Sequence, residues 1–299
     1  VVAKKFDRTQ FFRTTSGFDR DDLEKVLWTL YWRGDARTRE RVEELIDPSQ
    51  ATVTATAPPS AEVVRRNVKE FAALARTGAY LARDRRVSPK ERTRWRFTYK
   101  DHFTQSFAAL SAGTGEEVRP AVEAVSTLIT LACETESFDY FRSEDPIEAS
   151  KVVISEMVDQ LWTGIGRALG AEELCRLSAV QIVNWERRYG WTRFGFGRTS
   201  DKESTLAEVL PRHLPTPDMW SSFTEHYIRE LAAVAGKKSP SYGTVSARTD
   251  ALEPLDKLLI ERLHVSGADD RIDALLDNRG LTANGRKRLR GYQRALDSY

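Results

Sequence analysis

The chain has 299 residues, 46 basic against 44 acidic side chains, and 40% hydrophobic residues. That excludes a disordered chain, which needs low hydrophobicity or a large charge imbalance; 17 glycines and 11 prolines exclude collagen-like and Pro-rich classes. No apolar run approaches the ~20 residues of a membrane-spanning helix, and the best candidate, Leu128 to Cys133, stops at Glu134.

The opening VVAKKFDRTQFF has basic residues without the apolar stretch of a secretory signal. Leu23, Val26, Leu27, Leu30 and Tyr31 recur at three- and four-residue steps behind Asp19, Asp21 and Asp22, which predicts a helix. A shorter helix over 36–46 completes an N-terminal helical hairpin, 1–46. Residues 47–61, DPSQATVTATAPPSA, read as a linker whose ATVTATA makes one short strand at most. After Ser60, an N-cap residue, helices are expected over 61–83, 89–111, 115–134, 146–169 and 171–189. Val153, Ile154, Met157, Leu161, Trp162 and Ile165 mark 146–169 as a core helix. The rhythm breaks over 190–219 and resumes near 217–235, closing a main helical domain of 62–235. A polar loop, 236–248, and helices over 250–264, 268–277 and 283–297 make a C-terminal subdomain, 236–299.

The fold class is therefore all-α, a multi-helix bundle of about ten helices. A short HEAT-like α-solenoid is the alternative. EVVRRNV at 62–68 and EEVRPAV at 116–122 share Glu, Val, Arg and Val at the same offsets. Their separation exceeds the ~40–47 residues of a HEAT unit.

Near-neutrality conceals segregation. Residues 62–102 hold twelve basic and five acidic side chains, 116–159 hold three and eleven, and 279–294 hold six basic and none acidic. On a helix of 100° per residue, Arg65, Lys69, Arg76 and Arg83 form one stripe about 27 Å long, opposite Val64, Val68, Phe71 and Leu74. Arg92, Arg96 and Lys100 make a second ridge beside a core stripe of Trp95, Tyr99, Phe103 and Phe107. Arg286, Arg290 and Arg294 make a third against Leu289, Tyr292 and Leu296. Like charges at i,i+4 destabilise a helix by about 0.2–0.5 kcal/mol a pair. A polyanion offsets that cost through counterion release.

The most unusual segment is WERRYGWTRFGFGR, residues 185–198, in which Trp185, Tyr189, Trp191, Phe194 and Phe196 alternate with arginines and glycines. Arg187, Arg188, Arg193 and Arg198 suit phosphate, and Trp191 and Phe196 suit base stacking. It matches neither an RNA-recognition signature nor a dinucleotide or phosphate-loop fingerprint.

Catalytic motifs are missing: no GxSxG and no HExxH. Glu261 and His264 form a lone ExxH, and His226 and Glu230 another helical pair, short of a metal site; no metal or cofactor is expected. His102, beside Asp101, reads as hydrogen-bonded structure. Cys133 and Cys175 read as small buried hydrophobes in a reducing compartment, with cytoplasm the default. The function expected from these residues is nucleic-acid binding, as a subunit of a nucleoprotein or processing complex, with DNA, RNA or an acidic protein surface as the partner. One alternative is a helical protein–protein interaction scaffold, with acidic 116–159 meeting basic 62–102 of the same chain or another copy. A further alternative is an all-α enzyme with an aromatic, Arg-rich pocket for a phosphorylated ligand.

Overall fold

The first N–H groups of a helix lack partners within it, and side-chain caps satisfy them at several of the starts, among them those at residues 20, 61, 89 and 283. The computed structural model describes residues 8–34, 39, 42, 59–81, 84–236 and 242–298. The chain divides into two compact units, Val1–Ala57 and Pro58–Tyr299. In the first, α1 spans Arg8–Thr15 and α2 spans Arg20–Arg33, with the Asp19 carboxylate accepting from Asp22 N at 2.8 Å. Most of the expected second helix (36–46) and the ATVTATA segment lie outside the described residues.

The second unit begins with α3 (Ala61–Arg76), capped by Ser60, and α4 (Pro89–Ala112), started by Pro89 and a Ser88/Glu91 capping box. Then follow α5 (Arg119–Glu134), α6 (Pro146–Ser150), α7 (Ile154–Leu169), α8 (Ala171–Trp185) and α9 (Leu206–Val209). The series ends with α10 (Pro217–Gly236), α11 (Tyr242–Val265), α12 (Asp269–Leu276) and α13 (Ala283–Leu296). The described residues contain no strand, and the fold is an all-α multi-helix bundle.

The helices pack in chain order as two layers. One layer runs α3, α5, α8, α10; the other runs α4, α7, α9, α11, α13, each helix against the next. Arg271 on α12 reaches Glu225 on α10 at 2.8 Å, so α12 extends the first layer. Helices of that layer start at residues 61, 119, 171, 217 and 269, without a constant period. One hydrophobic core runs unbroken from Val64 to Leu289. Trp95, Tyr99 and Phe103 are buried in it, with Phe107 packed at its margin; the Trp95 indole stacks on Phe141 at 4.1 Å.

Four boundaries differ markedly from the expected ones. Helix α3 ends at Arg76 rather than 83, with Thr77 at its C-cap. The 146–169 helix is two helices, α6 and α7, broken where Lys151 turns left-handed at φ 57°. The new N-terminus at Ile154 is capped from afar: the Glu203 carboxylate accepts from Ile154 N at 2.7 Å and Ser155 N at 2.8 Å. Helix α8 ends at Trp185 rather than 189, because Glu186 turns extended and its carboxylate accepts Leu206 N. Helix α11 begins at Tyr242 rather than 250 and carries Pro254 inside it.

Candidate functional site

The α3 stripe is answered by carboxylates of α5. Arg65 Nη1 donates to Glu123 Oε2 at 3.0 Å and its Nη2 to Glu62; Lys69 Nζ lies 2.6 Å from Glu123 Oε1. Arg76 grips Glu134 with two parallel hydrogen bonds. Glu62 and then Glu123 raise the Arg65 guanidinium pKa, Glu134 raises that of Arg76, and Lys69, foremost, lowers that of Glu123. Arg83 lies outside the described residues. The two similar heptapeptides make matching contacts on different backbones, one inside α3 and the other a 3-10 turn (Gly115–Val118) leading into α5: Val64 and Val118 are fully buried, and Arg65 and Arg119 each bond a glutamate three residues back. Arg119 also reaches Glu173 on α8 at 2.5 Å, as Arg65 reaches Glu123 on α5. Arg119 and Arg176 together hold the Glu173 carboxyl down to about 2, Arg176 the more strongly.

The other two ridges are of mixed use. Arg92 donates to the Asp84 carbonyl, and Arg96 lies over the Phe97 ring, 5.0 Å from its centroid. Lys100, like Lys90 and Arg94, is exposed and has no carboxylate partner among the described residues. On α13, Arg286 Nε donates to Leu276 O at 2.7 Å and Nη2 to Asn278 O at 3.1 Å, closing the end of α12. Arg290 pairs with Asp277 at 2.7 Å, and Arg294 is exposed. Arg288, which the stripe pattern omits, bridges Asp250 at 2.6 Å and Glu253 at 2.7 Å.

The segment from Glu186 to Thr205 is a loop bonded at many points. Glu186 accepts from Arg187 N at 3.1 Å and from Leu206 N at 2.7 Å, tying the two ends; burial pushes its carboxyl up to about 7. Arg193 fans onto Thr135 O at 2.6 Å, Phe138 O at 3.2 Å and Asp139 at 2.8 Å. Arg187 meets Glu136 at 3.0 Å. Glu148 accepts from Arg198 N at 3.1 Å and Thr199 N at 2.9 Å. Gly197 permits this approach: at φ 125° it occupies backbone space closed to other residues, and a Cβ there would stand 2.7 Å from the Glu148 carboxyl.

Trp191 is part of that anchoring and corrects the stacking role expected for it. It is 2% exposed, with its indole N–H donating to Trp185 O at 2.9 Å, so no base can reach its faces. The rings that do face solvent are Tyr189 (70% exposed), Phe194 (53%) and Phe196 (70%). Phe194 and Phe196 stack at 5.9 Å. Arg188 lies over Tyr189 at 5.3 Å and reaches Asp250 at only 3.5 Å. The Arg198 side chain is exposed without a carboxylate among the described residues. Tyr189 and Phe194 were not among the expected binding residues, and no local signal separates them from Trp191, which lies between Gly190 and Gly195 just as Phe194 does.

Elsewhere several titratable groups are buried or paired. Cys133 and Cys175 are free and buried, and burial raises both thiol pKa values. His102 packs against Phe71 at 5.0 Å with Nδ1 lacking a partner, so it is not the hydrogen-bonded histidine expected; burial lowers its pKa. His226 bonds Glu172 at 3.0 Å, not Glu230, and Glu261 of the ExxH accepts from Tyr292. The described residues contain no group of three or more metal-ligating side chains, and no helix long and apolar enough to cross a membrane. Comparison with known protein families, with curated proteins and with solved structures finds no match.

Proposed function

We propose that the protein is a helical interaction scaffold whose acidic and basic segments meet within one chain. The observation that carries this reading is the seating of Arg65, Lys69 and Arg76 on Glu123 and Glu134. A cation already neutralised by a carboxylate must give up that partner before it can neutralise a phosphate, so it gains little from releasing the counterions condensed on a nucleic acid, and that release is what drives a basic stripe onto phosphate. The sorted charge then serves to set the register of α3 on α5, and partners bind elsewhere. Light scattering between ~50 mM and ~0.5 M salt tests this, the Debye length falling to roughly 4–5 Å at the upper end. A constant monomer mass is expected. An oligomer at low salt that dissociates at high salt would show that the segments pair between copies.

A second reading, nucleic-acid binding, is favoured by one observation: Lys90, Arg94 and Lys100 on α4 are exposed and free of carboxylates among the described residues. If three phosphates are contacted there, log K falls with log salt at a slope of about −3 on duplex. A mobility shift at ~50 mM salt that is abolished by Arg94→Glu with Lys100→Glu supports this second reading; no shift leaves the scaffold.

A further inference from the structure

The loop closed by Glu186 is bonded through its backbone and its arginines, yet it turns three aromatic rings to solvent. Its fixed points are Trp191 in the core, Arg193 on the carbonyls of Thr135 and Phe138, and Glu148 on the amides of residues 198 and 199. The Arg193 bond to Phe138 O also brings in the 135–139 turn, whose Phe138 is 57% exposed. Large apolar rings held outward have no role in the chain's own core. A surface ordered before binding loses less entropy when a partner arrives, and aromatic residues with arginine dominate the energetics of protein interfaces.

We propose that this surface, formed by Phe138, Tyr189, Phe194 and Phe196 and flanked by Arg188 and Arg198, docks an extended, acidic peptide segment of another protein. The inference rests on the scaffold reading and names its partner class. Charge complementarity identifies the occupant. Arg187 and Arg193 are neutralised by Glu136 and Asp139, while the Arg198 side chain faces solvent without a carboxylate and Arg188 is held only loosely. An Arg fork accepts a carboxylate through two parallel hydrogen bonds. Spacing favours an extended strand: alternate side chains on one face of such a strand lie about 6.6 Å apart, close to the 5.9 Å between the Phe194 and Phe196 centroids. Apolar side chains at alternate positions therefore seat against successive rings while a nearby Asp or Glu meets Arg198.

A phage-displayed library of random 12-residue peptides, panned on the full chain, tests the proposal. Enrichment of sequences that combine Asp or Glu with apolar residues at alternate positions is expected. A synthetic copy of the enriched peptide should bind at least tenfold more weakly to Phe196→Ala and to Arg198→Glu, with melting temperatures unchanged because both side chains are exposed. No enrichment over the Phe194→Ala/Phe196→Ala variant, or enriched peptides that ignore Arg198→Glu, overturns the docking site and leaves the scaffold reading to its light-scattering test. An oligo-dT strand that binds and is lost with these same substitutions overturns both.

Discussion

Arg76 and Glu134, 58 residues apart in the chain, meet through two hydrogen bonds, Nε to Oε2 at 2.8 Å and Nη2 to Oε1 at 3.0 Å. The planar guanidinium matches the carboxylate edge, which a lysine there would not do. Both side chains are partly open to water, so screening limits the pair. A double-mutant cycle with Arg76→Ala and Glu134→Ala should give a coupling of about 0.5–1 kcal/mol, falling as salt rises. A coupling indistinguishable from zero would remove the register-setting role of the α3–α5 pairs.

Trp95 and Trp191 are both core side chains, and truncation of either leaves a cavity. Trp95→Ala and Trp191→Ala should each cost on the order of 3–5 kcal/mol, read from urea midpoints. The arginines and glycines around Trp191 make it look dispensable; a cost well below that of Trp95 would mean that the 186–205 loop is not anchored through its indole.

Arg286 and Arg290 sit four residues apart on one helix but serve differently. Arg286 satisfies two terminal carbonyls, so Arg286→Ala should cost about 1.5–3 kcal/mol. Arg290→Ala breaks an exposed ion pair and should cost about 0–1 kcal/mol. Equal losses in chemical denaturation would refute the distinction.

Asp256 is fully buried, accepts from Tyr227 OH at 2.7 Å through Oδ1, and has no partner for Oδ2. Burial pushes its carboxyl up to about 7. Between roughly pH 4 and 7 the folded chain keeps a proton that the unfolded chain has released. Stability should therefore be fully present near pH 4, fall as pH rises through 7, and level off above. Glu186, also pushed up to about 7, adds a slope of the same sign. Asp256→Asn keeps an acceptor for Tyr227 and removes the ionisation. It should flatten the decline and be more stable than the parent chain at pH 8; a profile as steep as the parent's would place the titration elsewhere.

The helices were readable where caps and periodicity are local. Ser60 and the Trp95–Tyr99–Phe103 spacing locate the start of α3 and the run of α4 because each signal lies within a few residues of its effect. The break at Lys151 was not readable, since its cap, Glu203, lies about fifty residues downstream. The basic stripes were legible as geometry, but their partner was not: periodicity places Arg65, Lys69 and Arg76 on one face, and the segregated charge offered the acidic 116–159 segment only as an alternative to a polyanion. The exposed rings failed for a related reason. Five aromatics in fourteen residues look alike in sequence, and only the fold sorts Trp185 and Trp191 inward from Tyr189, Phe194 and Phe196.

The layered packing also bears on how the molecule comes apart. Each helix draws its main support from elements one or two places away in the chain, so stability is closer to a sum of neighbour interfaces than to a single all-or-none term. Opening α12 and α13 breaks their seams with α10 and α11 and leaves the α3–α5 pairs intact. The protein should then fray from its C-terminal end like a zipper. Amide protons there should exchange with solvent through partial openings, while those of α5 and α7 wait for the whole stack to part.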